Sequence, residues 1–100
     1  MTTVRERNIA RVREMVLAAL AGRPARVWLF GSCARGDWDQ ASDIDVAIEA
    51  DDPLPPSLLG NLKETLEEST IPYDVDVIDL ADTDKAFKER VKAEGISWRS

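Results

Sequence analysis

The sequence predicts a mixed α+β domain, in which a small β-sheet of about three strands is packed by about four helices. Two observations support this fold class. Helical and strand-like hydrophobic patterns alternate along the chain in the order α-β-loop-β-α-β-α. The composition, 44% hydrophobic and 32% charged over 100 residues, is that of a globular protein. Because a chain of this length can bury about two-thirds of its unfolded surface, we expect one domain over residues 1–100.

The first helix is predicted from about Thr3 to Ala21. Its apolar residues recur at helical spacing, and its arginines and glutamates form the opposite face. Gly22 and Pro24 follow the last periodic residue, which is a common arrangement at the end of a helix. The mostly apolar run 26–30 is rich in β-formers and predicts a buried strand.

Two further strands are predicted after a loop. Residues 31–42 have no clear period, which is typical of a loop. Residues 43–50 alternate, with Ile44, Val46 and Ile48 on one face and Asp43, Asp45, Ala47 and Glu49 on the other, and therefore predict a strand with one buried face. The prolines of the next segment exclude a continuing strand. Residues 73–80 form the third predicted strand.

Two helices follow the second and the third strand. Ser57 can cap a helix that carries four leucines. Asp82 or Thr83 can cap a last helix, with Gly95 at its C-terminal end. The tail, residues 96–100, is too short to classify.

Charge and missing residue types exclude several functions. The formal net charge of −6 argues against a protein that neutralises nucleic acid or coats an anionic membrane. The single cysteine excludes an internal disulfide framework, and the absence of histidine excludes Cys/His zinc sites and histidine-dependent nucleophiles. No apolar run approaches the length of about 18 residues that a membrane span needs, and the N-terminus lacks a signal-peptide pattern. We therefore expect a cytoplasmic protein.

Aspartates within the predicted strands are the strongest indication of chemistry. Asp43 and Asp45 lie two apart on one strand, so both carboxylates project from the same face. Asp76 lies within another apolar strand, where acidic residues are rare. Converging carboxylates oppose one another's ionisation, and a hard divalent cation such as Mg²⁺ would resolve that conflict. The alternative is a solvated strand face, with each acid pointing into water.

A glycine-serine turn follows the first strand directly. Gly31 allows backbone amides to approach an anion closely. The Ser32 hydroxyl can donate to a phosphate oxygen, and Arg35 can add a charge-assisted contact. The segment is not a P-loop, because the lysine-containing pattern is missing.

These motifs, in this order, resemble the signature of the minimal nucleotidyltransferase family, which belongs to the DNA polymerase β superfamily. The matching segments are Gly31-Ser32-Cys33-Ala34-Arg35-Gly36, then Ser42-Asp43-Ile44-Asp45-Val46-Ala47-Ile48, and finally Val75-Asp76-Val77-Ile78-Asp79-Leu80. The resemblance implies the nucleotidyltransferase fold and transfer of a nucleotidyl group with loss of pyrophosphate.

The resemblance also implies a role for each matched residue. Gly31 and Ser32 would hold the triphosphate of ATP, Arg35 would contact phosphate and Ser42 would support the loop. The Mg²⁺ ligands, which are also the implied catalytic residues, would be Asp43, Asp45 and Asp76. Of these, Asp76 would also help to deprotonate the attacking hydroxyl.

Minimal members of this family are commonly the antitoxin half of a module with a HEPN-type toxin ribonuclease. The resemblance therefore implies transfer of AMP to a tyrosine of a toxin, with which this chain would form a hetero-oligomer. Two alternatives stay open. The chain could be an antitoxin that blocks its toxin by binding alone, or a stand-alone nucleotidyltransferase that acts on a small molecule such as an aminoglycoside.

Overall fold

The computed structural model of the protein describes residues 4–31, 44–71 and 73–99. Within these ranges it contains three α-helices, one short 3₁₀ helix and four β-strands. In chain order the elements are α1 (Val4–Ala19), β1 (Ala25–Phe30), β2 (Ile44–Ala50), α2 (Pro56–Glu68), β3 (Val75–Asp79), the 3₁₀ helix (Leu80–Asp82), α3 (Lys85–Glu94) and β4 (Ile96–Arg99). None of the helices in these ranges has the length and apolar character needed to cross a bilayer.

The strands form one mixed sheet in the order β3-β2-β1-β4. β1 is antiparallel to both β2 and β4, whereas β2 and β3 run parallel. The predicted α+β class is confirmed, with one strand more than expected. The additional strand is β4, in the tail that the sequence pattern left unclassified. Four residues contain too few alternations to define a period, so pairing with β1 is what identifies this strand.

The two faces of the sheet pack against different helices. The main core lies between the sheet and the helices α1 and α2, and Val27, Val46 and Val77 supply part of it. A smaller cluster lies on the opposite face, against α3. Its buried members are Trp28, Ala47, Leu80 and Val91. We call this second face the α3 face; because side chains alternate along strands, it carries the even-numbered residues of β1 and the odd-numbered residues of β2.

The start of α2 differs from the expectation. The helix begins at Pro56, and Pro55 at the N-cap position makes no side-chain hydrogen bond. The predicted cap, Ser57, therefore lies inside the first turn. Proline suits the first helical position because a backbone N–H there would have no partner within the helix.

The cap of α3 also differs from the expectation. Asp84 occupies the N-cap position, and its Oδ1 accepts a hydrogen bond of 2.8 Å from the Phe87 amide. The two predicted caps, Asp82 and Thr83, belong instead to the end of the preceding 3₁₀ helix, which Asp79 caps. An extra turn of chain between β3 and α3 thus shifts the start of α3 beyond both predicted caps.

Gly95 lies where α3 turns into β4 and passes close to β1. A Cβ at this position would lie 2.5 Å from the Val91 carbonyl oxygen, 3.1 Å from the Leu29 carbonyl oxygen and 3.2 Å from the Trp28 Cβ. The Gly95 amide donates to the same Val91 carbonyl at 2.7 Å. Two of the three neighbours are backbone atoms, so any side chain here would force α3 and β1 apart.

We expect Gly95→Ala to lower the Tm by several degrees. Overpacking of this kind costs about 1–3 kcal/mol, and 1 kcal/mol shifts the Tm of a domain of this size by about 4–8 °C. Gly60→Ala is the control, because Gly60 is exposed within α2 and has open space around its Cβ position. Alanine there should raise the Tm through its helix propensity. Thermal unfolding followed by circular dichroism tests both, and an unchanged Tm for Gly95→Ala would contradict the close approach.

Glu49 links β2 to β1 and to α3 through two cations. Its Oε2 lies 2.8 Å from Lys92 Nζ, and its Oε1 lies 2.8 Å from Arg26 Nε. The hydrogen bonds from Lys92 and Arg26 hold the pKa of Glu49 below its ordinary value of 4.5. Arg26 also binds Asp51 at 2.9 Å, and the Lys92 ammonium lies 5.9 Å from the centroid of the Trp28 ring.

The lowered pKa of Glu49 makes its contribution to stability depend on pH. The ion pairs stabilise the fold above the unfolded-state pKa, near 4.5, and this stabilisation is lost as the pH falls through the lower folded-state pKa. Glu49→Gln should therefore lower the Tm at pH 7, and its difference from wild type should narrow below pH 4.5. Glu64→Gln, at an exposed position of α2, should follow the wild type. Thermal melts across this pH range measure both, and a constant deficit for Glu49→Gln would show that its charge is not the cause.

Candidate active site

Two of the three predicted aspartates lie side by side on the α3 face. Asp45 in β2 and Asp76 in β3 are partners in the parallel register, and neighbouring strands are about 4.8 Å apart. Asp45 is two residues from Ala47, which belongs to the buried cluster of this face, so both aspartates project on the same side as α3. Asp45 is half-buried and Asp76 is exposed.

Gly31 completes the described part of the site at the end of β1. Its backbone has a φ of +77°, a left-handed conformation that favours glycine. The preceding residue, Phe30, pairs with Asp45 across the antiparallel register. A Cβ on Gly31 would collide with Asp45 Oδ2, so the missing side chain leaves the space that this carboxylate occupies. The glycine is therefore required both for the turn and for the position of Asp45.

The remaining predicted site residues lie outside the described part of the chain. They are Ser32, Arg35, Ser42 and Asp43. In residues 4–31, 44–71 and 73–99, no group of three potential metal ligands comes together. Asp43 directly precedes β2 in sequence, and its place in a metal site stays a prediction.

Asp45 and Asp76 fit a hard divalent cation. Both offer carboxylate oxygens from adjoining strands on one face, which is the ligand type that Mg²⁺ prefers. Two cations of this face, Arg26 and Lys92, bind Glu49 instead. Glu49 lies four residues further along β2 than Asp45, a distance of about 13 Å in a strand. The residues present therefore suit Mg²⁺, to which Asp45 and Asp76 would offer carboxylate oxygens.

Two grooves flank the aspartates. The first, which we call the α3 groove, has a volume of about 270 Å³ and is lined by Phe30, Gly31, Phe87, Arg90, Val91 and Glu94. The second, the β3 groove, has a volume of about 570 Å³ at the edge of the sheet, and its lining includes Tyr73, Asp74 and Asp76.

The residues of α3 that line the α3 groove are not among the predicted site residues. Phe87, Arg90, Val91 and Glu94 lie in the last predicted helix, and none of them has a predicted role in the site. The four residues follow the spacing i, i+3, i+4, i+7, which places them on one face of a helix. Two charged residues on an otherwise apolar helical face are the signal that could have indicated this groove.

Comparisons with known proteins identify similar sequences. Residues 17–97 match the family model described as "Polymerase beta, Nucleotidyltransferase". The chain is also 39% identical over 66 residues to a Haemophilus influenzae protein named "Probable protein adenylyltransferase MntA". That alignment covers 66% of this chain and 58% of the relative, so the chain spans less than two thirds of the relative's length.

Solved structures show the same fold. A crystal structure of a toxin-antitoxin with AMP-PNP is 27% identical, with a TM-score of 0.69 over 86% of this chain and 71% of that chain. A candidate minimal nucleotidyltransferase is 28% identical, with a TM-score of 0.71 over 90% of this chain and 92% of that chain. The nucleotidyltransferase fold inferred from the sequence motifs is therefore confirmed.

The collision at Gly31 predicts how two glycine substitutions differ. Gly22 and Gly31 have φ values of +80° and +77°, but a Cβ on Gly22 would meet nothing within 4 Å. Gly22→Ala should therefore cost only the backbone strain of the left-handed conformation, about 1–2 kcal/mol. Gly31→Ala should cost more, because it also displaces the Asp45 carboxylate. Free energies of unfolding from urea titrations measure the difference.

Coupling between the two residues identifies the cause of that difference. If Asp45 is the obstacle, Asp45→Ala should recover part of the loss when it is combined with Gly31→Ala, and should recover none when combined with Gly22→Ala. Strictly additive losses in both pairs would contradict the contact between Gly31 and Asp45.

Proposed function

This chain belongs to the polymerase β nucleotidyltransferase family, and we propose that it is a Mg²⁺-dependent antitoxin that transfers AMP from ATP to a tyrosine of a cognate HEPN-type toxin ribonuclease. One observation carries the proposal. Asp45 and Asp76 are register partners on adjoining strands, and Asp45 fills the space beside a glycine whose conformation suits a phosphate-binding turn. Metal-assisted transfer of a nucleotidyl group needs carboxylates that hold the metal next to a turn that binds the phosphates.

Each residue has a defined part in the proposed reaction. Gly31, with Ser32, binds the triphosphate through backbone amides and the serine hydroxyl, with Arg35 in contact with phosphate and Ser42 supporting the loop. Asp43, Asp45 and Asp76 would hold Mg²⁺, which when bound neutralises the charge on the phosphates and the leaving pyrophosphate. Asp76 accepts the proton of the attacking hydroxyl. The new bond joins the tyrosine oxygen to the α-phosphorus, and the bond from that phosphorus to pyrophosphate breaks.

The position of Asp76 supports a macromolecular acceptor. Its side chain is exposed and lines the β3 groove at the edge of the sheet. A hydroxyl presented by a second protein can reach an acid in such a place, whereas a small acceptor would need further walls to orient it.

Two relatives support the choice of AMP and of a toxin as its acceptor. One is named as a protein adenylyltransferase, and the other is a toxin-antitoxin with AMP-PNP. Those properties belong to the relatives, and their transfer to this chain is part of the proposal. HEPN identity of the toxin and tyrosine as the acceptor follow from the family resemblance of the sequence motifs.

The test is the intact mass of the cognate toxin after incubation with this protein, ATP and Mg²⁺. Wild-type protein should add one AMP or a small multiple. Asp45→Asn and Asp76→Asn should each slow the transfer by at least about a hundredfold, as expected for loss of a catalytic acid–base or metal-binding group. Asp52→Asn is the matched control, because Asp52 is an exposed aspartate in the linker after β2.

Three other outcomes would each point elsewhere. A stable complex without any change of mass would favour neutralisation by binding alone. Neither complex nor modification would favour a small-molecule acceptor. Transfer that proceeds at the wild-type rate in Asp76→Asn would remove this residue from the proposed mechanism.

A further inference from the structure

The α3 groove opens beside Gly31, on the same face as Asp45 and Asp76. Its volume of about 270 Å³ lies just below the range of about 300–1,000 Å³ that is typical of pockets for whole small molecules. The groove therefore suits one part of a nucleotide better than all of it. The roles that the sequence motifs imply concern the phosphates, the metal, the attacking hydroxyl and the loop, and none of them concerns the base.

The lining of the α3 groove suits a flat heterocycle. Phe30 and Phe87 meet edge to face with ring centroids 5.7 Å apart, and Val91 is buried beside them. These three side chains give the groove an apolar floor. A purine ring can pack on such a floor, whereas a phosphate would lose its hydration there without gaining a partner.

Two charged side chains lie on this apolar helical face. Arg90 and Glu94 are exposed residues one turn apart on α3, and both line the groove. The Glu94 carboxylate would repel a phosphate but can accept hydrogen bonds from an amino group. The planar guanidinium of Arg90 can stack on a ring. Glu94 thus disfavours a phosphate beside it and favours a base that carries hydrogen-bond donors.

Both charged side chains are available to a ligand. Within the described residues, the side chains of Arg90 and Glu94 form no hydrogen bond or ion pair. Other charged residues of the same helix do form them: Lys85 lies 3.9 Å from Glu89, and Lys92 lies 2.8 Å from Glu49. Arg90 and Glu94 therefore differ from Lys85, Glu89 and Lys92, whose charges are paired.

We propose that the α3 groove holds the base of the nucleotide substrate, and that Glu94 selects bases with an exocyclic amino group, such as adenine. This inference rests on the proposed function, because Gly31 is the residue proposed to bind the phosphates of that same nucleotide. Gly31 lies between the α3 groove and the aspartates. It lines the groove, and the Asp45 carboxylate occupies the space next to its Cα. Phosphates at Gly31 place the attached nucleoside within reach of Phe87 and Glu94.

The test compares two nucleotides that differ only in the amino group. ATP and purine riboside 5′-triphosphate are titrated by calorimetry into the full chain in the presence of Mg²⁺. Wild type should bind ATP about tenfold more tightly, as expected for one hydrogen bond to a charged acceptor in a groove open to water. Glu94→Ala should abolish this preference, because it should weaken the binding of ATP and leave the binding of purine riboside 5′-triphosphate unchanged. Glu89→Ala removes a glutamate of the same helix outside the groove and should keep the preference.

Two further titrations separate this inference from the proposed function. Inorganic triphosphate, which has no base, should bind wild type and Glu94→Ala equally. Asp45→Asn should lower the affinity for ATP in the presence of Mg²⁺. If Asp45→Asn has that effect while Glu94→Ala retains the preference for ATP, the assignment of the groove is overturned and the proposed function stands. If wild type binds neither ATP nor triphosphate, the proposed function fails and this inference fails with it.

Discussion

The pairing register of β2 determines where the functional side chains of the sheet lie. Asp45 meets Phe30 on one side and Asp76 on the other. Because side chains alternate along a strand, a shift of the β2 register by one residue would point the Asp45 side chain into the main core. The same shift would move the hydrophobic neighbours of Asp45 out of that core. Ile44 and Ile48 oppose such a shift, since they are 1% and 0% exposed on the core side of the strand. The burial of one face of β2 therefore fixes the presentation of its carboxylate on the other.

The α3 face uses charge differently at its two ends. At one end, Glu49 binds Lys92 and Arg26 within 2.8 Å, which ties α3 and β1 to β2. At the other end, Asp45 and Asp76 come together beside the positive-φ glycine at position 31. The first arrangement brings opposite charges together and stabilises the fold. The second brings like charges together, and such an arrangement is useful when a bound cation offsets its cost.

The features that could be predicted from the sequence are those that depend on local pattern. Alternation over residues 43–50 predicts a strand and places Asp45 on the face opposite Ile44 and Ile48, and the next predicted strand, residues 73–80, contains Asp76. The α+β class and the nucleotidyltransferase fold follow from the order of these patterns and motifs. The roles of all the site residues stay predictions, and Ser32, Arg35, Ser42 and Asp43 also lie outside the described part of the chain.

The features that the sequence did not predict depend on contacts between distant segments. β4 exists because it pairs with β1, and Gly95 is needed because the Leu29 backbone lies close to it. The cap of α3 moved to Asp84 because a 3₁₀ helix intervenes after β3. No local pattern encodes these packing relations. The α3 groove is likewise formed by two distant segments, α3 and the end of β1.

The two carboxylates of the candidate site belong to strands of unequal protection. Asp45 is on β2, which has a neighbour on each side, whereas Asp76 is on β3, at the edge of the described sheet. Edge elements can open by local unfolding at a free energy well below that of global unfolding, whereas central strands open last. We therefore expect the amide hydrogens around Asp45 to exchange more slowly than those around Asp76. Any partner that covers the β3 edge would slow that opening and keep the two aspartates together for longer.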